Sequence, residues 1–176
     1  MVLLERAKIA AAQRLAEAMR GDIFRSAPAG YTREPASNLI PGVTRKDFWD
    51  DVESGDGSEL KDTKRGPAKF CAAYSSSALT VNSFGPFRRY PERLSVLGFS
   101  DFLKAQFEYK CPTGLSGNAP NLDFLARCSA TVVGIESKFL EPLSAKTADF
   151  ADSYRKLVAV EADAAWQRGT LGDIRK

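Results

Sequence analysis

Apolar and polar positions along the chain change period several times, and each change marks an element. Over residues 2–20, Leu4, Ala7, Ala11, Leu15 and Ala18 recur at helical spacing and Gly21 stops the run, which predicts an amphipathic helix. Arg6, Lys8, Arg14 and Arg20 lie mostly off that stripe; a solvated face is the simple reading and a phosphate groove the sharper one. Residues 21–69 are broken by Pro28, Gly30, Pro35, Pro41, Gly42, Gly55, Gly57, Gly66 and Pro67, a density that predicts turns and loops. Within them, residues 45–52 suit a short helix with Thr44 as N-cap and Phe48, Trp49 and Val52 inward. A second, largely buried helix is predicted over 70–83 from Phe70, Ala73, Tyr74, Ser77, Ala78 and Val81, closed by Phe84, Pro86 and Phe87.

The period then shortens to two. Residues 105–112 read as a strand with Phe107 and Tyr109 on one face and Glu108 and Lys110 on the other. After a Gly-rich loop, a second strand is predicted over 121–128 and a third over 131–140, the latter with Val133, Ile135 and Phe139 facing a core. From 148 to 166 the spacing of Phe150, Tyr154, Leu157 and Val158 is helical again. No internal repeat is visible. The 176 residues suit one domain, with an extension of helix and loops over 1–69 and a core over 70–166.

Composition changes this picture mainly by exclusion. The chain has no histidine, which removes Ser-His-Asp and Cys-His hydrolases, His-ligated zinc and a histidine general base. Cys71, Cys111 and Cys128 are few, widely spaced and without a CxxC pair, as expected of reduced thiols in a cytoplasmic protein rather than a disulfide framework or zinc cluster. Glu5, Arg6 and Lys8 with no apolar run after them do not read as a secretory leader, and nothing approaches the ~18 apolar residues of a membrane span. A formal charge of +3 is compatible with an anionic partner without demanding one. Hydrolytic chemistry is left to carboxylates, lysines, hydroxyls and a hard metal ion.

One arrangement fits that requirement. Average usage gives roughly one acidic-x-Lys match by chance in a chain of this length. Four occur here: Glu59/Lys61, Asp62/Lys64, Glu108/Lys110 and Glu136/Lys138. Only the last has a strand of its own and a preceding strand that carries an acidic residue. Alternation places Glu136, Lys138 and Gly134 on one face. A hairpin turning at Ser129-Ala130 sets Asp123 opposite Glu136, with Cβ atoms about 5 Å apart. Two carboxylates that close need a compensating cation, and oxygen-only ligands suit Mg²⁺ or Mn²⁺. Such an ion would neutralise phosphate charge and acidify a bound water, while Lys138 positions that water and stabilises developing charge. A surface hairpin with a Glu-Lys pair fits the same pattern.

The run Pro120-Asn121-Leu122-Asp123-Phe124-Leu125, followed by Val132-Val133-Gly134-Ile135-Glu136-Ser137-Lys138, resembles the active-site motif of the PD-(D/E)XK nuclease superfamily, and within it a bacterial family of restriction endonucleases. Ser75-Ser76-Ser77-Ala78-Leu79, Val81-Asn82-Ser83-Phe84-Gly85, Gly57-Ser58-Glu59-Leu60 and Thr113-Gly114-Leu115-Ser116-Gly117 match that family as well. The resemblance implies an α/β (α+β, mixed-sheet) fold with a restriction-endonuclease-like α-β-β-β-α core and an N-terminal helical extension. It implies Asp123 and Glu136 as ligands of Mg²⁺ or Mn²⁺ and Lys138 as the residue that assists water. Many superfamily members add a glutamate; Glu59 or Glu108 could supply it, although Glu108 reads more readily as a partner of Lys110. The superfamily core continues with another strand and helix, whereas ten residues follow Trp166, so the chain reads as lacking that last strand and helix. The edge strand left open predicts marginal stability, weak activity and a tendency to self-associate, for example as a homodimer.

The expected function is restriction-type, metal-dependent endonucleolytic cleavage of DNA, with repair or RNA substrates as variants within the superfamily. The alternative from another class is a non-catalytic nucleic-acid-binding or interaction module, or an inactive fragment of such a nuclease.

Overall fold

The structure is a computed structural model and describes residues 3–18, 24–26, 28–55, 59–112 and 119–143. The chain divides into two units, Met1–Cys111 with Asn121–Ala145, and Pro112–Pro120 with Lys146–Lys176. All elements below belong to the first unit; of the second, only Pro112, Ala119 and Pro120 are among the described residues. The expected helix over 148–166, the residues 113–118 of the Gly-rich loop, and Gly57 and Ser58 lie outside them.

Among the described residues, three helices and three strands follow one another: α1 (Leu3–Ala18), α2 (Trp49–Ser54), α3 (Ser76–Arg89), β1 (Lys104–Lys110), β2 (Asn121–Arg127) and β3 (Val132–Ile135). Short 3₁₀ turns, among them Arg45–Asp47, Lys69–Cys71 and Glu141–Leu143, fill the connections. The fold is α+β, and its three described strands form an antiparallel sheet in the order β1-β2-β3. Among the described residues no helix is long and apolar enough to cross a membrane.

The hairpin register agrees with the sequence. Cys128 N–H donates to the Thr131 carbonyl (2.9 Å), so Ser129 and Ala130 form the turn. The ladder runs from Arg127↔Val132 to Phe124↔Ile135. There β3 stops, five residues short of the expected end at 140. The Asp123 carboxylate accepts the Ser137 N–H (2.5 Å), and Glu141 accepts that of Phe139 (2.7 Å). Side chains have thus taken over donors that a longer strand would have paired with backbone. Phe139, expected in the core, is 38% exposed as a result.

The core lies between α3, α2 and the alternating inner face of the sheet. Ala105 and Phe107 of β1, Phe124 and Ala126 of β2 and Val133 of β3 pack with Phe48, Val52, Phe70, Ala78 and Val81. The Phe124 ring stacks on Phe84 (4.8 Å between centroids) and tilts against Phe107 (5.0 Å). The short helix expected over 45–52 is a 3₁₀ turn at Arg45–Asp47 followed by α2, with Phe48 and Val52 both 2% exposed. Asp47 closes its start by accepting both the N–H and the hydroxyl of Thr44.

Helix α3 differs from its predicted bounds of 70–83. Phe70 and Cys71 belong to a 3₁₀ turn, and the helix starts where Ser75 Oγ accepts the Ala78 N–H (3.1 Å). It then runs on to Arg89 through Pro86, which lies on the exposed side where its missing N–H is tolerated. Gly85 lets α3 approach Val43: a Cβ built there would come within 2.9 Å of Val43 Cγ1. Gly85→Ala should therefore destabilise by about 1–3 kcal/mol through overpacking, despite alanine's better helix propensity. Denaturant melts with an unchanged or raised midpoint would contradict that close contact.

Helix α1 has no buried residue; Leu4, Ala7, Ala11 and Leu15 of its predicted stripe are half-buried and Ala18 is exposed. All three cysteines are free thiols.

Candidate functional site

Asp123 stands on β2 one residue beyond the last ladder pair, where the same register brings it level with Glu136. It is half-buried. Burial pushes its carboxyl above the ordinary range, the Ser137 N–H pulls it back, and the charge of Glu136 pushes it up again. Glu136 and Lys138 lie in the irregular segment after β3 rather than on a strand. They remain on one side, and their side chains form an ion pair. That bond with Glu136 is the main reason the Lys138 ammonium is held more firmly protonated than usual, and the charges of Asp123 and Glu141 add to it. The three residues expected from sequence are therefore neighbours within one field.

Glu108 joins them. In register it falls opposite Asp123, but its backbone is left-handed (φ 47°) and the pair drops out of the β1–β2 ladder. A left-handed glutamate inside a strand is strained backbone held by its surroundings. Gly55 closes one side: a Cβ added to this glycine would lie 3.2 Å from Glu108 Cβ, so a larger side chain there would crowd the glutamate. The carboxyl is raised to about 7, first by burial and then by the charges of Asp123, Glu59 and Glu136, while a hydrogen bond from Asn121 opposes the shift. In the fold Glu108 shares the field of the acidic group.

Glu59, whose side chain is 15% exposed, pairs with Lys69 (2.8 Å) and accepts the Ser77 hydroxyl (3.3 Å). Glu141 was not singled out by the sequence pattern. Burial tends to raise it, but backbone N–H donors, the Ser76 hydroxyl and the charge of Lys138 hold it below the ordinary range. Glu59 and Glu141 border one cavity of about 330 Å³, which Tyr31, Tyr74 and Lys69 also line. Its position in a Pro-containing turn shortly after the Glu-x-Lys run was the one sign of Glu141 in the sequence.

The donor set is all hard oxygen, with more carboxylates than cations, which fits a divalent ion of the Mg²⁺ type. Asn121 Oδ1 adds a buried amide oxygen without a hydrogen-bond partner among the described residues. The same residues do not form a closed coordination sphere: among the described residues, no group of three or more acidic or cysteine side chains meets in ligand geometry. The reason is local, since Glu136 is turned to Lys138, Asp123 to Ser137 and Glu59 to Lys69.

The Glu108 shift has a consequence for stability. Its folded value of about 7 lies above the ordinary 4.5, so between these pH values the folded state binds more protons than the unfolded one. The associated stability is complete below pH 4.5 and is lost as pH rises through about 7. In the absence of divalent ions, Glu108→Gln should melt higher than the parent at pH 8 and show a shallower fall between pH 5 and 8. Equal pH slopes for the two proteins would refute this placement of Glu108.

No curated protein and no solved structure matches the chain. A family model does, over residues 5–172, which include the three described strands and the Asp123, Glu136 and Lys138 positions. By that match the chain belongs to the family described as restriction endonuclease associating with ARP.

Proposed function

We propose that this chain is a metal-dependent endonuclease that hydrolyses DNA phosphodiester bonds, restriction-type, with Asp123, Glu136 and Lys138 as its active-site residues. The observation that carries the proposal is the register that sets Glu108 and Glu136 level with Asp123 on either side of it, with Lys138 paired to Glu136. The family description favours DNA over RNA as substrate. The resemblance to the PD-(D/E)XK motif supports the assignment of roles.

Asp123 and Glu136 would hold Mg²⁺ or Mn²⁺, with Glu108 as the additional glutamate in preference to Glu59, which Lys69 and Ser77 already engage. When bound, the ion supplies charge neutralisation at the phosphate and a lowered pKa for its water. Lys138 orients the attacking water and stabilises the charge that develops on the phosphate oxygens. Glu136 keeps the lysine on the phosphate side through their ion pair. The half-burial of Asp123 and Glu108 limits competing solvent around these two carboxyls, whereas Glu136 and Lys138 are exposed and face solvent.

Titration with Mn²⁺ followed by electron paramagnetic resonance tests the ligand assignment directly. Asp123→Asn and Glu136→Gln should each weaken binding by at least about tenfold, the loss of one charged ligand. Affinity unchanged in both variants would overturn the assignment. A non-catalytic nucleic-acid-binding module is the second reading, and the local partner that each of Asp123, Glu136 and Glu59 already has favours it.

A further inference from the structure

Ser76 and Glu141 have no part in the function proposed above, yet they line one cavity, and Glu141 lies three residues beyond Lys138. Beyond Ile135 the sheet no longer fixes the chain, so the segment that carries Lys138 depends on other contacts. It has one on each side of the lysine. The Ser137 N–H goes to Asp123 (2.5 Å), and the Phe139 N–H goes to Glu141 Oε2 (2.7 Å). Asp123 belongs to the site already described. Glu141 belongs to the 3₁₀ turn Glu141–Leu143, which the Leu143 N–H closes on the Leu140 carbonyl (2.9 Å). Glu141 and Ser76, the first residue of α3, line one cavity side by side, the Ser76 hydroxyl helps to hold the carboxylate ionised, and the Glu141 charge acts on the Lys138 ammonium. The three serines thus divide their work. Ser75 caps α3 through the Ala78 N–H, Ser77 donates to Glu59, and Ser76 lies beside Glu141 in the cavity lining.

We infer that Glu141 and Ser76 are positioning residues for Lys138: together they tie the irregular segment after β3 to the first turn of α3 and so hold the lysine in place against the phosphate. The inference rests on the nuclease reading for its kinetic consequence but not for its structural one. A backbone N–H fixed by a carboxylate that is itself fixed by a helix leaves Lys138 little freedom, and a reacting group must be held to within a fraction of an ångström. Ser76→Ala does not touch the cap, which is Ser75, so α3 keeps its start.

Three variants of the full chain separate the clamp from a charge effect: Glu141→Ala, Ser76→Ala and Glu141→Gln. Glutamine keeps an oxygen that accepts the Phe139 N–H, offers its amide group to the Ser76 hydroxyl, which can donate or accept, and loses the charge. Glu141→Ala and Ser76→Ala should lower kcat by about tenfold or more, the rate equivalent of one charge-assisted hydrogen bond, with KM and Mn²⁺ affinity unchanged. Glu141→Gln should recover most of kcat. Hydrogen exchange at the Phe139 amide should accelerate in the first two variants and not in the third. Parental kcat in Glu141→Ala, or a glutamine variant as slow as the alanine one, would overturn the inference while leaving the nuclease reading intact. A wild-type chain that cuts no DNA defeats the nuclease reading, and the Phe139 exchange rates then decide the clamp: unchanged rates in Ser76→Ala refute it, accelerated rates sustain it.

Discussion

Lys138→Ala is expected to slow DNA cleavage by about 10²–10⁴-fold, the range for a side chain that acts on the attacking group or on developing charge. Divalent-ion binding should survive, because the ammonium lies at the edge of the carboxylate group and repels a cation rather than ligating it. Removing it frees Glu136 from its ion pair, so Mn²⁺ affinity should hold or rise slightly. Lys138→Arg keeps the charge but replaces a compact ammonium with a planar fork and should restore only part of the rate. Single-turnover cleavage with saturating Mg²⁺ measures this. A Lys138→Ala chain with parental rate would remove the lysine from the mechanism, and one that had lost metal binding would assign it a structural role instead.

Asp51→Ala is expected to cost about 3–5 kcal/mol of folding stability, toward the lower end because Arg88 is partly solvated. Asp51 is 9% exposed and joins three elements. From α2 it accepts Arg88 Nε (2.5 Å) and Nη2 (3.0 Å) on α3, and the Phe107 N–H (3.0 Å) on β1. Alanine leaves a buried N–H and a guanidinium without their acceptor, and both lose more than the mutated side chain itself contributes. For a chain of this size that loss corresponds to a fall in Tm of roughly 6–20 °C. Because Phe107 precedes the left-handed Glu108, the variant should also broaden the local geometry there and weaken Mn²⁺ binding. Asp51→Asn keeps one acceptor and should lose less. A Tm within about 2 °C of the parent, a change of less than about 1 kcal/mol, would show that the α2–β1 link is dispensable.

The parts of the fold that could be read from sequence are those set by short-range rules. The Ser129-Ala130 turn fixed the hairpin, and with side chains alternating by two, the turn alone placed Asp123 level with Glu136. Thr44, Phe48 and Val52 marked α2 and its approach through a cap and an apolar face. Differences arise where a side chain competes with backbone. The end of β3 moves from 140 to Ile135 because Asp123 and Glu141 take the Ser137 and Phe139 N–H groups, and strand alternation carries no sign of that. Periodicity starts α3 too early because Phe70, in a 3₁₀ turn, falls at helical spacing from Ala73 and Ser77. It ends the helix too early because Pro86 reads as a stop unless its exposed position is known. At the candidate site, the register that brings Asp123 level with Glu136 was legible in the sequence, while the roles of Asp123, Glu136 and Lys138 rest on resemblance. The left-handed Glu108, the engagement of Glu59 by Lys69, and the reach of Glu141 to Ser76 depend on contacts between elements distant in the chain.

The central claim is that these carboxylates hold a divalent ion for phosphodiester hydrolysis. Incubation of supercoiled plasmid DNA with the purified chain in EDTA, Mg²⁺ or Mn²⁺, with Glu136→Ala in parallel, tests it most directly. Nicked or linear product should form with Mg²⁺ or Mn²⁺, be absent in EDTA, and be absent for Glu136→Ala under every condition. Cleavage that persists in EDTA, or that Glu136→Ala carries out at the parental rate, would contradict the account.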